Sequence, residues 1–319
     1  MRIGIITPAP PRSLHGNRVT ALRWAKMLRL LGHQVAVAQR YAGQPFDILV
    51  ALHARRSYAS ILRFYRLHPN RPLIVALTGT DLYRDLHKSR QAQRSLQLAS
   101  RIIVLQPKAL EELPPKLQKK TRVIYQSVEP RSFELRPQTA SHNFLVCVIG
   151  HLREVKDPFR AAMAARLLPK NSRIQIVHAG AAHNERMAIG ARREMHINPR
   201  YRWLGEQSPK RVHQIMASSQ LLVHPSHMEG GANVISEAIV AGLPVIASHV
   251  PGNIGLLGEN YPGYFQAGDK RGLAELLWRA ETDPEFLADL KMHCRRLTAR
   301  FEPLRERQAW ANLIAEHYY

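Results

Sequence analysis

Cysteine is scarce in this 319-residue chain: Cys147 and Cys294 stand far apart, with no C-x-x-C spacing and no His-rich neighbourhood. That excludes a disulfide framework or a zinc knuckle and leaves two reduced thiols. Long hydrophobic runs are missing as well. No stretch approaches the ~18 uninterrupted apolar residues of a membrane span. The opening run, residues 3–6, stops at Pro8 and is too short for a signal peptide's apolar core. The expectation is a cytoplasmic chain without an integral membrane segment. Low-complexity tracts and tandem repeats are absent, and G-x-x-x-x-G-K-[ST] does not occur, so a P-loop is excluded. Acidic residues are few: 24 Asp and Glu face 46 Lys and Arg, a net charge of +22. The imbalance is concentrated, since residues 1–140 hold 24 basic and 7 acidic side chains (+17) and the remainder 22 and 17 (+5). A basic surface gathers anions, whether nucleic acid, anionic membrane or small phosphorylated molecules. No RNP, KH or helix-turn-helix pattern accompanies it, so nucleic acid is not the expected partner.

With 45% hydrophobic residues, the length suits about two domains, each able to bury a core. Strand-like apolar runs fall at 34–38, 46–52, 73–77, 102–105 and 123–125, after a first run that Pro8 ends. Between them lie helical patterns, among them Val19, Leu22, Trp24, Met27, Leu28 and Leu31, closed by Gly32, and residues 59–67. Alternation with near-continuous apolar strands indicates an α/β domain with a parallel sheet covered on both faces. Residues 129–143 lack periodicity and read as a linker. A second series follows, with strands at 144–149, 174–179, 221–224 and 244–247 and a helix at 161–168. The last fifty residues are largely helical. The expected division is a Rossmann-like domain over 1–135, a second over 144–300, and a terminal helix over 301–319.

In such sheets ligands sit at the carboxyl ends of strands, which singles out five loops. In the first, Gly16 and Asn17 open a helix after a Pro-rich turn, where backbone amides and the helix dipole suit a phosphate; it is not a G-x-G-x-x-G fingerprint. The second, His53-Ala-Arg-Arg-Ser57, places an imidazole beside two guanidiniums that can grip phosphate or carboxylate oxygens. In the third, Leu77-Thr-Gly-Thr-Asp-Leu-Tyr83, Thr78 and Asp81 either contact a ligand or cap a helix. The fourth, Gly150-His-Leu-Arg-Glu-Val-Lys-Asp157, brings His151, Arg153 and Lys156 to one turn, a setting for a diphosphate. The fifth is Glu229-Gly-Gly-Ala-Asn-Val-Ile-Ser-Glu237, continuing through Ala-Ile-Val-Ala-Gly-Leu-Pro-Val. Its glycines permit close backbone approach to a ligand, and Glu237 can accept two hydrogen bonds from a cis-diol.

Glu, seven residues, Glu, then Ala-Gly-Leu-Pro-Val resembles the signature of the family-four retaining glycosyltransferases, whose GT-B fold has two facing Rossmann-like domains. The resemblance covers nearly the whole chain. It implies that Glu229 and the amides of Gly230, Gly231, Ala232 and Asn233 hold the donor sugar, Glu237 the ribose, and Lys156 with Gly150 and Gly16 the diphosphate. It places His53 at the family's strand-end histidine and sends the terminal helix back to the N-terminal domain. There are two departures: His151 stands where the family has arginine, with Arg153 two residues on, and Thr78 where it often has histidine. Which cation does the diphosphate work is thereby left open, and the acceptor site is atypical. The strings Thr7-Pro-Ala-Pro-Pro11, Leu52-His-Ala-Arg-Arg-Ser57 and Leu77-Thr-Gly-Thr-Asp-Leu-Tyr-Arg-Asp85 are similar to one subgroup, the selenosugar synthases of selenoneine biosynthesis.

That resemblance implies a UDP-sugar donor, UDP-N-acetylglucosamine or UDP-glucose, selenophosphate as acceptor, and a downstream selenoneine-pathway enzyme as possible partner. A small trianion needs cations, and Arg18, Arg55, Arg56 and Arg84 of the basic half are the candidates, with Thr78, Thr80 and Asp81 beside them. His53 would orient the acceptor or take a proton, and Lys156, Arg153 or His151 would stabilise the leaving group. No Asp-x-Asp occurs, so metal-independent turnover without a cofactor is expected. The alternative is a conventional transferase acting on a glycan or lipid, its basic half docking on an anionic membrane.

Overall fold

The computed structural model describes residues 1–13, 15–130 and 143–316. Most of the linker expected over 129–143, and the last three positions of the terminal helix, lie outside the described residues. The chain divides into two compact units. One comprises Met1–Ser127, Glu229–Gly231 and Glu302–Tyr319, the other Val128–Met228 and Ala232–Phe301.

The first unit alternates β1 (Arg2–Ile6), α1 (Gly16–Leu30), β2 (Gln34–Ala38), β3 (Ile48–Leu52), α2 (Tyr58–Leu67), β4 (Leu73–Ala76), α3 (Arg90–Leu98), β5 (Arg101–Val104), α4 (Pro115–Gln118) and β6 (Thr121–Val123). All neighbouring strands are parallel, in the order β2-β1-β3-β4-β5-β6, so the order reverses between β1 and β3. Side chains alternate across a strand, and β3 shows the result. Leu49 and Ala51 enter a core with Ile61, Phe64 and Leu96, while Ile48, Val50 and Leu52 enter another with Trp24, Leu28 and Trp310. Both faces are buried, which is why the strand reads as an unbroken apolar run.

The second core includes the terminal helix, labelled α12 below (Pro303–Ala315). Trp310 meets Trp24 edge-on at 5.0 Å, and the Trp24 indole N–H donates to Glu306 Oε1 at 2.7 Å. The Ser127 amide donates to Glu306 Oε2 at 2.7 Å, and Arg23 lies 3.5 Å from the same oxygen, so this buried carboxylate is well compensated. Val19 and Leu22 depart from the expected helical core: both are exposed, and α1 buries Thr20, Ala21, Trp24, Ala25, Met27 and Leu28 instead. The stripe is set by which face meets the sheet, and small residues at 20, 21 and 25 let the helix approach closely.

The second unit contains β7 (Phe144–Ile149), α5 (Arg160–Ala165), β8 (Ile174–Ala179), α6 (Glu185–Ile197), β9 (Tyr201–Trp203), α7 (Pro209–Ser218), β10 (Leu221–His224), α8 (Asn233–Val240), β11 (Val245–Ser248), α9 (Pro251–Leu257), β12 (Tyr264–Phe265), α10 (Lys270–Thr282) and α11 (Pro284–Leu297). Its sheet is also parallel, in the order β12-β11-β10-β7-β8-β9, with its reversal between β7 and β10. Cys147 in β7 and Cys294 in α11 are buried free thiols, and burial pushes the Cys147 thiol up to about 12, where it is inert. Among the described residues, no helix is long and apolar enough to cross a membrane.

Candidate active site

In the first unit, the chain leaves β3 through His53, whose φ of +72° is uncommon for a non-glycine residue. The ring is buried. Its Nδ1 accepts the Arg56 amide at 3.3 Å, so the proton of the neutral ring sits on Nε2, which donates to Thr80 Oγ1 at 3.2 Å. Burial lowers the His53 pKa; Asp81 and Asp85 oppose that, and Arg56 and Arg55 add to it. The imidazole is therefore neutral at pH 7, and its Nδ1 lone pair is engaged.

Asp81 is fully buried and accepts three backbone amides, Thr78 and Gly79 through Oδ1 (2.9 and 3.0 Å) and Ala54 through Oδ2 (2.9 Å). It locks the loop after β4 to the loop after β3. Asp85, which the sequence reading did not single out, is the group that gathers cations. Arg55 Nε lies 3.1 Å from its Oδ2, Arg84 Nε 3.3 Å from its Oδ1, and His53 Nε2 4.0 Å from Oδ2. The Arg55 approach is not aligned as a hydrogen bond, so among the described residues buried Oδ2 has no hydrogen-bond donor. Thus His53, Arg55, Thr80, Asp81 and Arg84 come together, with Arg56 beside them.

Glu229–Gly231 also belongs to this unit. A Cβ on Gly230 would lie 2.5 Å from the Thr78 carbonyl carbon, and one on Gly231 2.6 Å from Leu105 Cβ. An added Cβ at either glycine would therefore meet protein atoms. Glu229 is buried, and its charge adds to the burial that raises the Tyr83 phenol, whose oxygen accepts from Gln106 Nε2 at 2.8 Å. Gly16 opens α1 without a side-chain cap, followed by Asn17 and half-buried Arg18, and a Cβ on Gly16 would meet nothing within 4 Å.

In the second unit, Gly150 follows β7, and its carbonyl accepts a hydrogen bond from His178 Nε2 at 3.0 Å. His178 Nδ1 therefore accepts the Tyr201 hydroxyl at 3.0 Å, and burial holds this histidine at about 4, fixed in the neutral form. Gly180 is required here, since a Cβ would lie 2.0 Å from the Gly150 oxygen. His151 Nδ1 accepts the Ala181 amide at 3.1 Å, so that imidazole is docked on the loop after β8. Arg153 precedes a short 3-10 turn over Glu154–Lys156, which Asp157 closes in the left-handed region at φ +46°. Asp157 accepts Arg160 Nε at 2.7 Å and lies 3.4 Å from His227 Nε2, a brace for the lysine turn that no motif announced. Ala232 precedes α8; Asn233 starts it, and half-buried Glu237 follows one turn later.

Each unit thus presents polar residues at the carboxyl end of its sheet, the first rich in guanidiniums, the second with a glycine turn carrying Lys156. A curated relative is the UDP-Gal:alpha-D-GlcNAc-diphosphoundecaprenol alpha-1,3-galactosyltransferase of Escherichia coli, 28% identical over 160 residues. That match takes in 48% of this chain and spans 40% of the relative's length. Among solved structures, Anabaena HepE in complex with UDP and glucose superposes with a TM-score of 0.80 at 17% identity, over 99% of this chain and 100% of HepE. Sucrose-phosphate synthase from Thermosynechococcus elongatus does so at 0.79 and 17%, over 99% of both chains. The fold is accordingly the GT-B architecture of two Rossmann-like domains. Residues 133–296, just over half of the chain, match the model of the glycosyl transferases group 1, and the chain belongs to that family.

Proposed function

We propose that the chain is a retaining UDP-sugar-dependent transferase and that its acceptor is selenophosphate, joined to the sugar through selenium. Family membership supports the transferase reading, and the UDP-Gal in the name of the E. coli relative and the UDP bound to HepE support the nucleotide. The observation that carries the acceptor is the charge of the first 140 residues, 24 basic against 7 acidic, with Arg55 and Arg84 on Asp85 beside His53 and the Arg56 amide on the His53 ring. An anion needs such partners where a saccharide would need hydroxyls and aromatic stacking.

In this reading the loop after β7 and the segment from Glu229 to Glu237 hold the donor. Lys156, with Arg153 and His151, stabilises the charge that develops on the diphosphate, aided by the backbone amide at Gly150, while Glu237 takes the ribose. Glu229 and the amides of Gly230, Gly231, Ala232 and Asn233 position the sugar. The bond from the anomeric carbon to the UDP oxygen breaks with its electron pair leaving on UDP, and a selenium lone pair forms the new carbon–selenium bond. Water then removes phosphate from selenium by attack at phosphorus, leaving the selenosugar for a later enzyme of selenoneine biosynthesis. Selenium is polarisable and needs no base, which agrees with a neutral His53 that donates from Nε2 to Thr80 and orients the acceptor through that hydroxyl. The test is mass spectrometry of the purified chain with UDP-N-acetylglucosamine or UDP-glucose and fresh selenophosphate. A selenium isotope pattern on a sugar mass, persisting in EDTA and lost in Glu229→Ala and Lys156→Ala, is the expected result; its absence with both donors refutes the acceptor.

A second reading, a conventional transferase acting on a hydroxyl of a glycan or lipid, is favoured by Asp85. Its buried Oδ2 lacks a hydrogen-bond donor and would suit an acceptor hydroxyl better than an anion. UDP release that depends on a lipid-linked or saccharide acceptor would establish it.

A further inference from the structure

A surface cavity of about 560 Å³ in the first unit is lined by Pro8, Gln39, Arg40, Tyr41, Arg56, Ala59, Ser60 and Arg63. Its walls come from the segments that follow β1, β2 and β3, which places it at the carboxyl edge of the sheet beside the β1/β3 reversal. Ligands of open α/β sheets collect at such reversals. Arg56, Ser60 and Arg63 recur at helical spacing across the start of α2 and so share one face, while Arg40 comes from the turn after β2. Only Arg56 belongs to the set read from the sequence.

The wall opposite the helix is fixed. The Tyr41 amide donates to Ser60 Oγ at 3.0 Å, and the Tyr41 hydroxyl donates to the Gln44 carbonyl at 2.8 Å. Gly43, at φ +111°, has space for a Cβ only 3.5 Å from an Arg63 terminal nitrogen. Among the described residues no carboxylate pairs with Arg40, Arg56 or Arg63. Asp85 is taken by Arg55 and Arg84, and Asp81 by three backbone amides. Three guanidiniums around one cavity repel each other until an anion enters, and their planar forks match tetrahedral oxyanions.

We infer that the Arg40–Arg56–Arg63 cavity is a binding site for a small phosphate-bearing molecule, gripping its phosphoryl oxygens. Where that molecule is the acceptor, the inference rests on the proposed function; as an oxyanion site it stands by itself. The occupant is a free phosphate-bearing molecule, for which the volume, larger than a bare phosphate and within the range of small-molecule pockets, leaves room.

The experiment is calorimetric titration of the full chain with inorganic phosphate and with thiophosphate, alongside Arg40→Gln and Arg63→Gln. Both residues are exposed, so unchanged thermal unfolding checks that the variants fold. Saturable binding, weakened about tenfold or more by either substitution, is expected. No binding to the wild-type chain, or equal binding in both variants, overturns the site. Co-sedimentation with phosphatidylglycerol vesicles, against phosphatidylcholine, forms the second arm. Vesicle binding lost in the variants while phosphate titration is unaltered would assign the arginines to a headgroup and overturn the free-ligand site. Arginine-dependent phosphate binding without selenosugar formation would refute the acceptor and leave the cavity standing.

Discussion

His53 carries the main consequence at the scale of single residues. Its pKa is lowered from 6.5, chiefly by burial, so the ring is neutral at physiological pH and gains a proton only below that value. Protonation would place a hydrogen on Nδ1, facing the Arg56 amide that now donates to it. Transfer activity that depends on the neutral ring should therefore be level through pH 7 and fall only below about 6.5. A kcat/KM profile against pH checks this, and an acid limb centred above 7 would contradict it. Asp81 leads to a stability expectation. Asp81→Ala would leave three buried amides without an acceptor, and at roughly 1–3 kcal/mol for each unsatisfied group the loss should be about 3–5 kcal/mol after partial relaxation. Urea unfolding measures it, and a change below ~1 kcal/mol would show the carboxylate to be dispensable. Asp85 was not legible in the sequence, because its importance lies in meeting Arg55, Arg84 and His53 from two loops. Spacing along a chain does not report such convergence.

Elements made of unbroken apolar runs were read accurately: residues 34–38, 144–149, 174–179 and 221–224 are strands with those bounds. Tyr201–Trp203 and Tyr264–Phe265 were missed, since two or three residues hold no periodicity to read. The stripe of α1 was misread because Val19 and Leu22 are apolar yet face outward. At this scale the glycines separate into two kinds. Gly180→Ala would drive a methyl into the Gly150 carbonyl, displacing the β7 turn and destabilising by ~1–3 kcal/mol or more, with weaker UDP binding. Gly16→Ala meets no atom within 4 Å and should leave stability within about 0.5 kcal/mol. Thermal unfolding and UDP titration of the two variants check both statements, and equal behaviour would show that the contact at Gly180 is not limiting.

At the scale of the whole molecule, the chain does not finish where its second sheet does, because α12 belongs to the first unit through Trp310 and Glu306. Trp310→Ala should cost about 3–5 kcal/mol, as large-to-small changes in a packed core do, and expose Trp24. Denaturant unfolding followed by tryptophan fluorescence reads both effects, and a loss below ~1 kcal/mol would show α12 to be weakly held. The sequence by itself determined the alternation of strands and helices, the parallel sheets buried on both faces, and the family, through Glu229, Glu237 and the Ala-Gly-Leu-Pro-Val stretch. These are local properties, written in hydrophobic period and in contiguous motifs. Only the tertiary structure decided that Gly230 packs against Thr78, that His178 holds the Gly150 carbonyl, and that Arg40 and Arg63 join Arg56 around one cavity. Apart from Arg56 and Arg63, which helical spacing already sets on one face, these groups come from separate segments, and the packing that brings them together is encoded in no local pattern.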